Sequence, residues 1–533
     1  MSLKQSFPKE IPATTREVVE PILPADSLCR LLGEKAEEII DEAPLAAMYS
    51  HTGRGGINPV LLCFALVLQF LEKLPDRQAA EMARMRLDWK YALRQELAWP
   101  GFDYSSLCNF RKRLYGHGQE YLMFEQVLKY LQGLGYLKSK RQRTDATHIL
   151  GAVERLSRLE LVWETLRMAL GALINGDAKW VIGQLPASFV NFYSQKRSDY
   201  RLSQEQAEQG LLDAGQDGFW LLSQIEEHGE AAWQELPEIV ALRQVLSQQF
   251  DQDDEEGGSG LKAKANTDAK GDVITSPHDR TVRYSKKNKQ IEWRGYKAQV
   301  SETVDGDFPI ISDIGIHSAI EADGAALEAI HQRLRQRDLL PQQQYVDGAY
   351  CNGKTLQASE QKGIDLRAFL GNNSRKPPGF RLQDFDIDLE KKQAVCPAGK
   401  LATVFNPSSQ PDVAWHIRFG KQCRQCPFRS LCTTEKRGRS LEISPYHQQL
   451  TRRRREQADA GFVKEMHARA RIESTICELA RKHGLRQSRY RGQNKVALQA
   501  AFTAAAVNLK RLARHLVQEV VSFLIPLLAT HSS

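Results

Sequence analysis

Gln344-Tyr345-Val346-Asp347-Gly348-Ala349-Tyr350 is the stretch on which the reading of this chain turns. An apolar, β-leaning approach ends in one carboxylate, and a glycine follows at once. That is how a buried strand delivers an acid to the edge of a sheet. One such acid is ordinary turn chemistry, so its meaning depends on whether other stretches bring carboxylates to the same place.

Working outward, Gly295-Tyr296-Lys297-Ala298-Gln299-Val300 alternates at period two, and residues 308–317 continue the β pattern. Residues 320–337 and 353–362 have helical spacing, and 364–369 read as another strand. Together these describe an α/β layer with a mixed sheet. Far upstream, Arg141–Leu150 interrupts a helical pattern with a short β-capable run that carries Asp145. Residues of about 152–250 are helical again and read as an insertion after that strand. Asp251–Gly260 closes it as an acidic, glycine-rich linker. The α/β core is expected over 137–370 and 448–515, with a loop-rich, Cys-rich insertion at 371–447 and a tail at 516–533.

Residues 1–136 are expected to form a helical N-terminal domain. Asn58-Pro59 starts one helix with Leu62, Leu66 and Phe70 in register, and Pro75-Asp76-Arg77 starts a second. A third follows Ser105-Ser106 and carries Arg111, Lys112 and Arg113. Short helices ending in a basic one suit a helix-turn-helix DNA reader, and equally a helical bundle with a basic surface.

The chain has 533 residues, 42% hydrophobic and 26% charged, with a net charge of +8. Acid is concentrated at 251–256 and base after residue 417, including Arg452-Arg453-Arg454-Arg455, which predicts a polyanionic partner. The N-terminus lacks the apolar core of a signal peptide, and the apolar runs at 59–68 and 520–528 are too short to span a bilayer. Nine unevenly spaced cysteines predict a reduced, cytoplasmic protein.

Three acids stand in distinct settings: Asp145 on a short strand, Asp347 after a strand, and Glu473 within the helix Ala468–Ile476. Phosphoryl transfer assisted by two hard cations needs converging carboxylates, because Mg²⁺ prefers oxygen ligands. Residue type and spacing do not choose these three over Asp268, Asp279, Asp313 or Asp323, and Glu473 could simply pair with Arg469 four residues earlier. A second constellation is Cys396, Cys423, Cys426 and Cys432. Four thiolates in a loop-rich stretch predict structural zinc, with an iron–sulfur cluster as the alternative.

These motifs resemble a family. Thr144-Asp145-Ala146-Thr147-His148-Ile149, Tyr345–Tyr350, and Arg469 to Asn508 with Glu473, Gly484-Leu485-Arg486 and Arg489-Tyr490-Arg491-Gly492 agree in order and type with bacterial insertion-sequence transposases of the DDE class. Asp76–Glu81, Asp88–Ala92 and Phe110–Leu114 resemble that group's N-terminal end-binding domain. The resemblance implies an RNase H-like core, with Asp145, Asp347 and Glu473 as the triad that holds Mg²⁺ or Mn²⁺. It implies double-stranded DNA, both element ends and target, as partner, action as a dimer or larger, and association with the nucleoid. Arg452–Arg455, Arg469, Arg481, Lys482, Arg489 and Arg491 join Arg111, Lys112 and Arg113 as expected DNA contacts. The sequence departs from many members at Met466, where they carry Tyr, and at Ala480, where they carry Lys or Arg. The alternative function is a transposase-derived DNA-binding regulator without catalysis.

Overall fold

The computed structural model describes all residues except 1, 4–5, 51, 54, 254–259, 266–270, 288–289, 372–378 and 531–533. Asp268 lies outside the described residues.

The N-terminal third is helical. Helix α1 (Pro59–Glu72) starts where the Asn58 side chain accepts from Val60 N at 2.8 Å, and every residue from Pro59 to Phe70 is buried. A helix that is apolar on all sides belongs inside a core, not at a DNA surface. It is followed by α2 (Asp76–Met85), α3 (Ser105–Gly116) and α4 (Leu122–Gly133).

The central sheet has six strands: β1 (Arg141–Leu150), β2 (Arg283–Lys286), β3 (Glu292–Thr303), β4 (Ile311–Ser318), β5 (Gln343–Tyr345) and β6 (Asp365–Arg367). Its order is β6-β5-β1-β3, with β2 and β4 also paired to β3. The pairs β1–β5 and β5–β6 are parallel, while β3 runs antiparallel to β1, β2 and β4. This is the mixed sheet that the period-two stretches predict. Between β1 and β2, helices α5 (Arg158–Gln184), α6 (Gln204–His228) and α7 (Pro237–Gln249) close on their own hydrophobic core. Of the expected acidic linker, residues 254–259 lie outside the described residues, and its flanks pair as antiparallel strands, Phe250–Asp253 with Gly260–Ala263. Buried Phe250 anchors it to the insertion core.

Helix α8 (Asp323–Gln336) precedes β5, and α9 (Gly353–Glu360) precedes β6. After β6, strands β7 (Val404–Pro407), β8 (Trp415–Arg418) and β9 (Ser440–Ile443) form a small antiparallel sheet over Phe385, Ile417 and Phe419. The chain then returns to the main sheet through α10 (His447–Glu456), α11 (Ala460–Ala470), α12 (Ile472–Cys477) and the long α13 (Gln493–Thr530). Helix α13 packs on α1, α4 and β4. As a result, the N-terminal helices, one sheet face and α13 share a single hydrophobic core, and no packing boundary separates residues 1–136 from the rest. The expected tail after 515 is a continuation of α13. Among the described residues, no helix is long and apolar enough to cross a membrane.

Candidate active site

The site is built where β1 and β5 run side by side. Their register pairs Arg141 with Gln343 and Arg143 with Tyr345. Continued by two residues, it sets Asp145 beside Asp347, with neighbouring strands about 4.8 Å apart. Val346 N donates to Arg367 O at 2.9 Å, so the segment leading into Asp347 remains tied to β6. A Cβ at position 348 would stand 2.8 Å from Phe369 O, so glycine is needed after this acid.

One guanidinium joins the pair. Arg469, at the end of α11, lies 3.7 Å from Asp145 Oδ2 and 3.7 Å from Asp347 Oδ2. Asp145 Oδ1 also accepts from Ala146 N at 2.8 Å. Burial pushes the Asp145 carboxyl above its ordinary value and the Asp347 charge adds to this, against the Ala146 N–H and Arg469. Asp347 is the open member, its side chain 54% exposed.

Glu473 stands in the first turn of α12, which packs against β1. It is exposed, and its carboxylate makes no hydrogen bond or ion pair with another described residue. Among the described residues, no three His, Cys, Asp or Glu side chains form a group that could hold a metal ion. The structure therefore brings Asp145, Asp347 and Arg469 together and leaves Glu473 on the adjoining helix. Two oxygen-donor side chains already sharing one cation fit a hard divalent ion in donor type and charge.

The expected DNA contacts divide by burial. Lys112, Arg455, Arg481, Lys482 and Arg491 are exposed. Arg111 is a correction: it is 5% exposed, paired with Asp76 on α2 and packed over the Tyr490 ring, so it bridges elements of the core. Arg453 is likewise buried and pairs with Asp365 and Glu456, while Arg452 pairs with Glu360. Arg113 donates to Met48 O at 2.8 Å and lies over the Tyr49 ring. Arg489 donates to Leu74 O at 2.7 Å, and Arg454 is half-buried. Met466, at the family's Tyr position, is buried against Tyr345 and Phe462.

Cys396, Cys423, Cys426 and Cys432 all line one cavity of about 20 Å³, room for roughly one water-sized occupant. The donor type suits zinc, although the four thiols do not draw together into a closed ligand group. Burial pushes the Cys432 thiol up, with the other three cysteines adding to the rise. The remaining acids are structural. Asp313 pairs with Arg333 and Arg337, Asp323 with Lys297, and Asp279 accepts from Thr281 and from Gly492 N at 2.7 Å. His317 contacts Glu321 at 3.1 Å.

Sequence reasoning missed Glu302, a fully buried carboxylate on β3 directly opposite Arg143. Its signal was a charged residue inside an apolar alternating strand, which becomes meaningful only once the register is known.

Two segments match family models. Residues 395–513 match a transposase DDE domain, and residues 17–113 match a transposase domain of the DUF772 type. No curated protein and no solved structure matches the chain.

Proposed function

We propose that this chain, two segments of which match transposase domains, is an insertion-sequence transposase of the DDE class that binds the terminal inverted repeats of its element, cleaves the DNA in a metal-dependent reaction and joins the 3′-hydroxyl ends to a target. The observation that carries this reading is Asp145 and Asp347 on one Arg469 guanidinium, from positions 202 residues apart in the chain. A central strand bearing one acid, flanked by a parallel strand that the other follows by two residues, supports reading the sheet as an RNase H-like core.

Asp145 and Asp347 would jointly hold Mg²⁺ or Mn²⁺, and Glu473 would complete the site from α12. The bound metal supplies activation of the attacking hydroxyl and stabilisation of the leaving oxygen. The chain's own residues orient the DNA. Arg469 offers N–H donors to a phosphate oxygen, in the bidentate manner open to guanidinium. Lys482, Arg481, Arg491 and Lys112 contact the backbone without reading sequence. The helical insertion, with 19 acidic and 8 basic residues over 152–256, repels a polyanion and leaves the DNA to the remainder of the chain. The attacking group is the hydroxyl of water or DNA, so no covalent protein–DNA intermediate forms. The four cysteines hold structural Zn²⁺, a reading supported by their shared cavity. The protein works on paired ends as a dimer or larger, in the nucleoid.

The test is Mg²⁺-dependent cleavage of element-end DNA by the purified chain. Wild type cleaves, and a folded Asp347→Ala variant binds the DNA without cutting it. If Asp347→Ala cuts at the wild-type rate, the assignment fails. If wild type binds ends and never cuts, the chain is a DNA-binding regulator.

A further inference from the structure

Behind the paired aspartates lies a buried polar network that no motif announced. Arg143 is two residues before Asp145 on β1, and the register sets it opposite Glu302 on β3. Arg143 Nε donates to Glu302 Oε1 at 2.6 Å, and the Glu302 side chain is 0% exposed. Thr475, two residues after Glu473 on α12, donates to Glu302 Oε2 at 2.5 Å. Arg143 Nη1 donates to the carbonyl of Ala468, the residue before Arg469, at 2.9 Å. From α13, Arg511 donates to Thr475 Oγ1 at 2.8 Å and to Glu478 Oε2 at 2.9 Å, and its other terminal nitrogen lies 3.6 Å from Glu302 Oε2.

We propose that Glu302 is a positioning residue whose two carboxylate oxygens fix the strand of Asp145 to the helix of Glu473, setting the spacing between those acids. The inference rests on the active-site reading above. One oxygen receives the Asp145 strand and the other receives the Glu473 helix. The guanidinium that completes the first contact also holds the end of α11, where Arg469 sits. Stability alone does not account for this arrangement, because a buried ion pair is a poor source of net stability against apolar residues of the same volume. A rigid frame does account for it: a catalytic group displaced by about 1 Å can lose about 100-fold in rate. Asp347 follows β5, which pairs with β1 and not with β3, so the direct contacts of Glu302 run to the Asp145 strand and the Glu473 helix.

The experiment uses the full chain with Thr475→Val and Glu302→Gln, alone and together. End-DNA cleavage is measured across a Mg²⁺ titration, DNA affinity in the absence of metal, Mn²⁺ affinity by electron paramagnetic resonance, and thermal stability as a control. Thr475→Val is the milder change and carries the test should Glu302→Gln fail to fold. We expect a cleavage rate lower by about 10- to 100-fold, a several-fold rise in the metal concentration needed, weaker Mn²⁺ binding, and end-DNA affinity within about twofold of wild type. The double variant falls no further than the more severe single one, because both break the same frame. A Glu302→Asp variant, which keeps the charge and shortens the reach, recovers Mn²⁺ binding in part. The proposal is overturned if folded Thr475→Val keeps the wild-type rate and metal curve. It is also overturned if rate falls only in step with thermal stability while Mn²⁺ affinity stays unchanged. Asp347→Ala runs in parallel: its retaining wild-type cleavage would remove the active-site reading itself, a failure distinct from that of the positioning role.

Discussion

Asn508 links α13 to the sheet through a pair of hydrogen bonds. Its Nδ2 donates to Ile311 O at 2.9 Å and its Oδ1 accepts from Ile311 N at 2.9 Å, with both residues fully buried. Ile311 sits where the β3–β4 register shifts, so the amide side chain serves backbone groups at an irregular point of the ladder. Asn508→Ala removes both partners at once. A buried backbone group left without a partner costs about 1–3 kcal/mol, so the two together should cost about 2–5 kcal/mol. For a core built from most of a 533-residue chain that corresponds to roughly 2–6 °C in its melting. Asn508→Asp keeps an acceptor for Ile311 N but sets a buried carboxylate oxygen against Ile311 O in place of the donor, so it should cost at least as much as the alanine change. Thermal unfolding followed together with hydrogen exchange of β4 separates a local from a global loss, and β4 amides should lose protection first. A shift below about 1 °C with β4 protection intact would refute the reasoning, because it would mean that Ile311 does not depend on this side chain.

Other consequences concern charge and ligands. Glu478 is held far below the ordinary carboxylate range by His483, Lys510 and Arg511. A depressed folded value means stability that is present above the unfolded value of about 4.3 and lost as pH falls through the folded one. Melting temperature should therefore drop from pH 5 downward, and Glu478→Gln should flatten that slope. Arg111→Met should destabilise the fold by about 2–4 kcal/mol by stranding partly buried Asp76, whereas Lys112→Ala should leave melting unchanged and lower the salt dependence of DNA binding by about one phosphate contact. Cys423→Ser should reduce the zinc content of the purified chain and lower its melting temperature; full occupancy by elemental analysis would argue against the four-cysteine site.

The fold was largely legible where patterns are local. The alternation of 295–300, the acid-plus-glycine at 347–348 and the Asn58-Pro59 helix start each rest on neighbours within a few residues, and each appears as read. What depended on distant partners was not legible. Asp145 beside Asp347 follows from a parallel register between strands 202 positions apart, which no spacing reveals, and only the motif resemblance pointed to it. Arg111 and Arg453 look like DNA ligands in the sequence because their partners, Asp76 and Asp365, lie 35 and 88 residues away. The buried run Pro59–Phe70 carried its own signal: a helix with no polar face is covered on every side, here by α13 from the far end of the chain. Glu302 remained hidden for the same reason of register.

The central claim is that Asp347 ligates a divalent metal during strand cleavage, and replacing its oxygen ligand with a softer one tests this directly. Thiolate is a poor ligand for Mg²⁺ and a better one for Mn²⁺. The purified Asp347→Cys variant should bind end DNA like wild type, fail to cleave in Mg²⁺, and regain measurable cleavage in Mn²⁺. Cleavage in Mg²⁺ at the wild-type rate would contradict the account.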